Sequence, residues 1–229
     1  MENSTIIYAV TFVSFVVMTT GLALAIWKIY RYRKRVHASI DNERWEQTLS
    51  REKIYKDNLI VFFGDSQIGL WRMAPSFGLL PIVNKGVYGE FASKAFDRFQ
   101  QDVLSLNPRL LVMLIGINDL GSGQSVEAIV KNIQIMADMA SNRDVSLILC
   151  SLLPVRGKYI HNHSLKDIVQ INTKLKILSD QYDADYVDFH SQLIDNHGLF
   201  KSEFTFDGLH PSEAGYVKMT NIIFPYLVR

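Results

Sequence analysis

Leu59-Ile60-Val61-Phe62-Phe63-Gly64-Asp65-Ser66-Gln67 is the stretch on which the fold turns. Five apolar residues without alternation read as a strand buried on both faces, the pattern of a parallel sheet. Gly64 ends the strand and lets the chain turn. Ser66 then stands where a helix can begin, with Ile68, Leu70 and Trp71 beyond it. In an open α/β sheet ligands bind beyond the carboxyl ends of the strands, so a hydroxyl on that rim is well placed for a nucleophile. A serine in a turn is also an ordinary N-cap, and alone it signifies little.

Outward from this stretch, further apolar segments predict strands over 81–84, 109–115, 145–150 and 184–188. Helical patterns separate them. Phe91, Ala95, Phe99 and Val103 form one stripe; Val126, Ile129, Val130, Ile133, Met136 and Ala137 form a second. Leu165, Ile168, Val169, Asn172, Leu175 and Leu178 form a third. A last helix starts at Pro211 or Ser212 and runs through Ala214, Val217 and Ile222 to about Tyr226. Strands alternating with helices predict a five-stranded parallel sheet covered on both faces, a three-layer α/β/α architecture over residues 58–229 without an internal boundary.

The first 57 residues differ in kind. Ile6 to Trp27 is a run of 22 residues with no charged side chain. As a helix it spans about 33 Å, which matches a hydrocarbon core of roughly 30 Å. The segment lacks a basic leader and is longer than a signal-peptide core. Residues 1–27 are therefore expected to be an uncleaved single transmembrane anchor, with membrane contact through residues 6–27. Lys28, Arg31, Arg33, Lys34 and Arg35 follow the run, which puts the N-terminus outside and the remainder in the cytoplasm. Residues 28–57 read as a basic juxtamembrane segment continuing into a helical stalk. Its sparse apolar points, Ile40, Trp45 and Leu49, suggest a spacer only partly packed on the domain.

The formal net charge of +1 gives no basis for a nucleic-acid partner. The one cysteine, Cys150, lies in an apolar strand and reads as core. His161 and His163 form a His-x-His pair without a third ligand at sensible spacing, so no metal site is expected. His37, His190 and His197 read as surface or loop residues. No cofactor is implied.

Three later segments bear chemistry. Asn84-Lys85-Gly86-Val87-Tyr88-Gly89-Glu90 follows the second strand, and its glycines allow backbone N–H groups to approach a ligand. Gly116-Ile117-Asn118-Asp119 ends the most apolar strand, and an asparagine amide there can donate to an oxyanion. Asp207-Gly208-Leu209-His210-Pro211 precedes the last helix. An acid three residues before a histidine can hold one ring nitrogen and leave the other free as a base. Each segment alone is also an ordinary turn or cap. Asp65 and Asp119 are expected to hold their own loops.

Taken together, and in this order, Gly64-Asp65-Ser66-Gln67, Gly86-Val87-Tyr88-Gly89-Glu90, Gly116-Ile117-Asn118-Asp119 and Asp207-Gly208-Leu209-His210-Pro211 resemble the motif blocks of the SGNH hydrolases, the GDSL esterases and lipases. The resemblance covers roughly residues 58–229. It implies a flavodoxin-like fold, Ser66 as nucleophile, His210 as base and Asp207 as orienting acid. It also implies an oxyanion hole from Ser66, Gly89 and Asn118, and no metal or cofactor. Gln67 and Glu90 depart from the usual residues at their positions, and the Gly-x-Ser-x-Gly elbow of α/β-hydrolases is absent. The expected function is a membrane-anchored serine esterase acting on a small-molecule, lipid-like or carbohydrate acetyl ester. Acyl transfer from the same serine, or a non-catalytic binding module, are the alternatives.

Overall fold

The structure, a computed structural model, describes residues 2–52 and 58–229, the side chains of residues 2–15, 51 and 52 excepted. Its strands are β1 (Ile60–Gly64), β2 (Ile82–Gly86), β3 (Leu110–Leu114), β4 (Ser146–Cys150) and β5 (Asp185–Val187). Its α-helices are α1 (Glu2–Glu52), α2 (Ser66–Gly69), α3 (Met73–Phe77), α4 (Ala92–Asp102), α5 (Ile117–Gly121), α6 (Val126–Ser141), α7 (Leu165–Gln181), α8 (His190–Leu193) and α9 (Glu213–Leu227).

All strand pairs are parallel, in the order β2-β1-β3-β4-β5. Every residue of β1 and β3 is buried, as expected for central strands covered on both faces. Alternate residues serve opposite faces. Val61, Phe63, Leu111 and Met113 pack with α4, α6 and α7. Ile60, Phe62, Leu110 and Val112 pack with Trp71, Phe77 and the inner face of α9. Trp71 anchors this second layer by edge contacts to Phe62 and Phe189 at 5.5 and 6.0 Å. Loops leave β1 and β3 toward opposite faces, so the crevice of this sheet opens between the ends of these two strands. Ser66 follows β1 and Asn118 opens α5 after β3.

Two helical details differ from expectation. In α9 the buried residues are Gly215, Tyr216, Met219, Ile223 and Leu227, whereas Val217 points outward. The Ser212 cap on Gly215 N and the Tyr216 hydroxyl donated to Gln67 O set this phase. In α7, Val169 is exposed and Ile171 is buried instead.

The N-terminal segment is continuous helix from Glu2 to Glu52, and it docks closely. Ala38, Asn42 and Leu49 are buried, while Ile40 stays exposed. Asn42 donates to Trp71 O and accepts from Met73 N, capping the start of α3. Two surface ion pairs, Arg72–Asp41 at 2.6 Å and Lys85–Glu46 at 3.4 Å, flank this contact. Among the described residues no helix is long and apolar enough to cross a membrane. The expected span 6–27 falls in part on side chains outside the described residues, as do residues 53–57 of the stalk.

Candidate active site

The turn after β1 is built for close approach. A Cβ on Gly64 would lie 1.9 Å from Leu114 O on the neighbouring strand, so only glycine lets the two chains meet there. Asp65 has extended backbone and accepts from Gln67 N through Oδ1 at 2.8 Å, the geometry of an N-cap. Ser66 is thereby the first residue of α2, where a backbone N–H has no intrahelical acceptor.

The loop before α9 brings its acid and histidine to this turn. Asp207 Oδ1 accepts from Leu209 N at 3.0 Å and His210 N at 2.8 Å, which folds the loop around the carboxylate. Asp207 Oδ2 lies 2.9 Å from His210 Nδ1, and His210 Nε2 lies 2.9 Å from Ser66 Oγ. A carboxylate can only accept, so Nδ1 carries a proton, and the neutral form of the ring would present its lone pair at Nε2 to the serine. Gln67 Nε2 donates to Leu209 O at 3.0 Å and ties the two loops together. Burial pushes the Asp207 carboxyl up, but the hydrogen bond and charge of the His210 ring and the two backbone donors outweigh it. They hold the carboxyl at about 2.

The other two segments meet beside this line. Val87 N donates to Gly64 O at 2.9 Å, which fixes the loop 87–90 against the end of β1. Gly89 has φ +75°, a left-handed conformation that favours glycine, and a Cβ there would meet nothing within 4 Å. Asn118 donates from Nδ2 to Glu90 O at 2.9 Å, leaving its second amide hydrogen for another acceptor. Asp119 Oδ2 accepts from Ala92 N at 2.8 Å and joins the start of α4, just past this loop, to α5. The structure thus brings Ser66, His210 and Asp207 into one hydrogen-bonded line. Gly89 and Asn118 are joined to each other through Glu90.

The GDSL-like Lipase/Acylhydrolase family model matches residues 70–218, well over half of the chain. This chain belongs to that family. The match begins just past Ser66. A candidate acylhydrolase from Bacteroides fragilis is similar over 76% of this chain and 88% of its own, at 25% identity and a TM-score of 0.71. A GDSL-like lipase from Bacteroides thetaiotaomicron is similar over 80% of this chain and 97% of its own, at 22% identity and a TM-score of 0.70. An acetyl-xylooligosaccharide esterase from Geobacillus is similar over 76% and 96%, at 17% identity and a TM-score of 0.62. No curated protein sequence matches the chain. The chain is a serine ester hydrolase of this family.

Some groups that position the acylhydrolase site give little signal of that role in the sequence. Arg98 forks onto Glu90, bonds Asp102 at 2.8 Å and reaches Lys85 O at 3.0 Å, bracing the Gly89 loop from behind. His163 is the buried member of the His-x-His pair. It sits against Gly121 at the end of α5 and bonds Tyr159 O through Nδ1 at 2.9 Å. Burial lowers its pKa, so it supports α5 as a neutral ring. No group of three or more potential metal ligands occurs among the described residues. Helix α1 also reaches the site. Arg31 lies 3.7 Å from Asp207 Oδ2, and Tyr30 packs edge-on against Phe206, which stacks on His210 at 5.7 Å. Three of these contacts are local, each between residues four apart: Arg98 with Asp102, His163 with Tyr159 and Phe206 with His210; those of Arg31, of Tyr30 and of His163 with Gly121 cross long stretches of chain.

Beneath the hydrolase loops lie two carboxyls with one unpartnered oxygen each among the described residues, Asp65 Oδ2 and Asp119 Oδ1. Burial raises both, Asp65 to about 7. A carboxyl raised in the folded state binds a proton that the unfolded chain has lost. Its contribution therefore falls as pH rises from about 4 to about 7 and is level above. Asp65→Asn keeps an oxygen for the cap and cannot ionise. Relative to wild type, the variant should gain on the order of 2 kcal/mol between pH 5 and pH 8. Urea unfolding at the two pH values measures this, and an unchanged difference would rule out the buried acid as the cause.

Proposed function

We propose that residues 58–229 form a serine esterase domain that hydrolyses carboxylic esters with a short acyl group through an acyl-enzyme on Ser66. The observation that carries this reading is the unbroken line Ser66 Oγ, His210 Nε2, His210 Nδ1, Asp207 Oδ2, with 2.9 Å at each hydrogen bond. His210 Nε2 takes the Ser66 proton as Oγ attacks the ester carbonyl, and Asp207 supports the imidazolium that forms. The oxyanion is received by the backbone N–H groups of Ser66 and Gly89 and by Asn118 Nδ2. The tetrahedral species collapses as His210 gives its proton to the departing alcohol. Water then attacks the acyl-enzyme, His210 takes its proton, and the carboxylic acid leaves with Ser66 restored.

Ser66 is 4% exposed and His210 3% exposed. Cover this complete favours an acetyl-sized group over a long chain, and an acetyl ester on a carbohydrate over a lipid. The Geobacillus neighbour's acetyl-xylooligosaccharides are substrates of that kind. We further infer that residues 6–27 anchor the enzyme in a membrane, with the N-terminus outside and the domain cytoplasmic. The support is the uncharged run and the basic residues that follow it.

A fluorophosphonate probe applied to cells tests both readings. It should label one peptide, carrying Ser66, in protein that stays in the membrane pellet after an alkaline carbonate wash. Nitrophenyl esters from acetyl to dodecanoyl should be cleaved fastest at the acetyl end. Labelling at another residue would sink the serine assignment, a soluble labelled protein would sink the anchor, and a dodecanoyl optimum would sink the short acyl group.

A further inference from the structure

A cavity of about 660 Å³ lies between α1, α3 and α9; Lys34 in its lining sits over the Phe206 ring, which stacks on His210. No residue of the Ser66–His210–Asp207 line borders it. Its volume falls in the range of small-molecule sites. The lining is divided. Leu70, Pro75 and Val217 give an apolar floor and wall, and Val217 is 61% exposed although its side chain is aliphatic. Arg33, Lys34 and Arg72 give a cationic rim.

The cations are unequally answered. Arg72 is paired with Asp41 at 2.6 Å. Arg33 and Lys34 have no carboxylate within 4 Å among the described residues. Lys34 Nζ instead sits 4.3 Å above the Phe206 ring, half removed from water. Burial lowers its pKa, and the more distant Glu213 and Asp207 oppose that shift without cancelling it. Glu213 also borders the cavity, and among the described residues it is the one carboxylate in the lining. An ammonium short of hydration and of a partner gains from an incoming anion through charge-assisted hydrogen bonds. The apolar wall beside it gains from burial.

We propose that this cavity is a second binding site, separate from the catalytic one, for a single-chain amphiphilic anion: a phosphate or carboxylate head on Arg33 and Lys34, and an alkyl body against Leu70, Pro75 and Val217. Such an anion has two sources, a lipid of the adjoining membrane or a soluble metabolite.

The test uses full-length protein carrying Ser66→Ala, placed in phosphatidylcholine nanodiscs, so that hydrolysis does not enter. Hexyl phosphate, inorganic phosphate and hexanol are titrated by calorimetry, with empty discs as the blank. Hexyl phosphate should bind at least tenfold more tightly than either fragment. Arg33→Gln with Lys34→Gln should weaken it at least tenfold, and Val217→Trp, at an exposed position, should weaken it by blocking the alkyl wall. Equal binding of hexyl phosphate and inorganic phosphate would overturn the proposal, as would full affinity in the Arg33→Gln, Lys34→Gln protein. Discs containing a tenth of lysophosphatidic acid separate the sources. A raised apparent Kd for hexyl phosphate assigns the site to membrane lipid, and an unchanged one assigns it to a soluble anion.

Discussion

Ser66→Ala will lose turnover of nitrophenyl acetate by a factor on the order of 10⁶ while keeping its fold. Among the described residues the hydroxyl makes one hydrogen bond, to His210 Nε2. The first turn of α2 is held by Asp65, not by Ser66, so the backbone of the turn survives the change. The loss of one hydrogen bond at a buried ring nitrogen costs about 1 kcal/mol, a few degrees in melting temperature. Chemistry suffers far more, because no other hydroxyl stands on His210 Nε2 and the covalent step has no substitute. Circular dichroism and a burst-phase assay on matched samples measure the two effects. A variant retaining more than a tenth of wild-type turnover would mean that Ser66 is not the nucleophile.

Asp207→Asn should cost about 10⁴ in kcat at neutral pH, for a reason specific to this loop. Asp207 Oδ1 accepts from both Leu209 N and His210 N. Asparagine keeps those two bonds by turning its oxygen to them, which points its amide nitrogen at His210 Nδ1. That nitrogen donates, so Nδ1 must become the acceptor and the ring proton moves to Nε2, facing Ser66. The base then holds a proton where it should take one. Asp207→Ala leaves Nδ1 free of this constraint but opens the loop, so it should fall less in activity relative to its loss of stability. Steady-state rates beside thermal melts distinguish the two variants. An Asp207→Asn protein within tenfold of wild type would show that His210 is not oriented through Nδ1.

The parts of the fold visible in the sequence were those set by local pattern. The unbroken apolar run 59–63 became β1, and Ser66 stands at its end because Gly64 and Asp65 carry the turn chemistry within the same few residues. Asp207 and His210 are three apart, so their pairing also lay within reach of spacing alone. The docking of α1 did not. A segment rich in charge, with few apolar points, reads as solvated. Its contacts are an asparagine capping another helix, an arginine near a carboxylate, and cations over aromatic rings, all to residues distant in sequence. The phase of α9 is not legible in the local pattern for a related reason. Tyr216 rather than Val217 faces inward because its hydroxyl finds Gln67 O, a partner 149 positions away. Arg98, which holds Glu90, likewise became meaningful only once β1, β2 and α4 stood together.

The unbroken course of α1 has a mechanical meaning. The helix holds 51 residues, about 75 Å of rigid rod, and residues 22–52 contain neither glycine nor proline at which it could hinge. One end of the rod is clamped to the domain at Ala38, Asn42 and Leu49. Whatever grips the other end therefore dictates the tilt and bearing of the whole body. With Trp27 at a bilayer surface, Arg31 beside Asp207 lies about 6 Å farther along the axis. The reaction centre would then hang at a fixed height just above the lipid head groups. It would sample a thin disc of the cell rather than its volume, and its working substrate concentration would be a surface density.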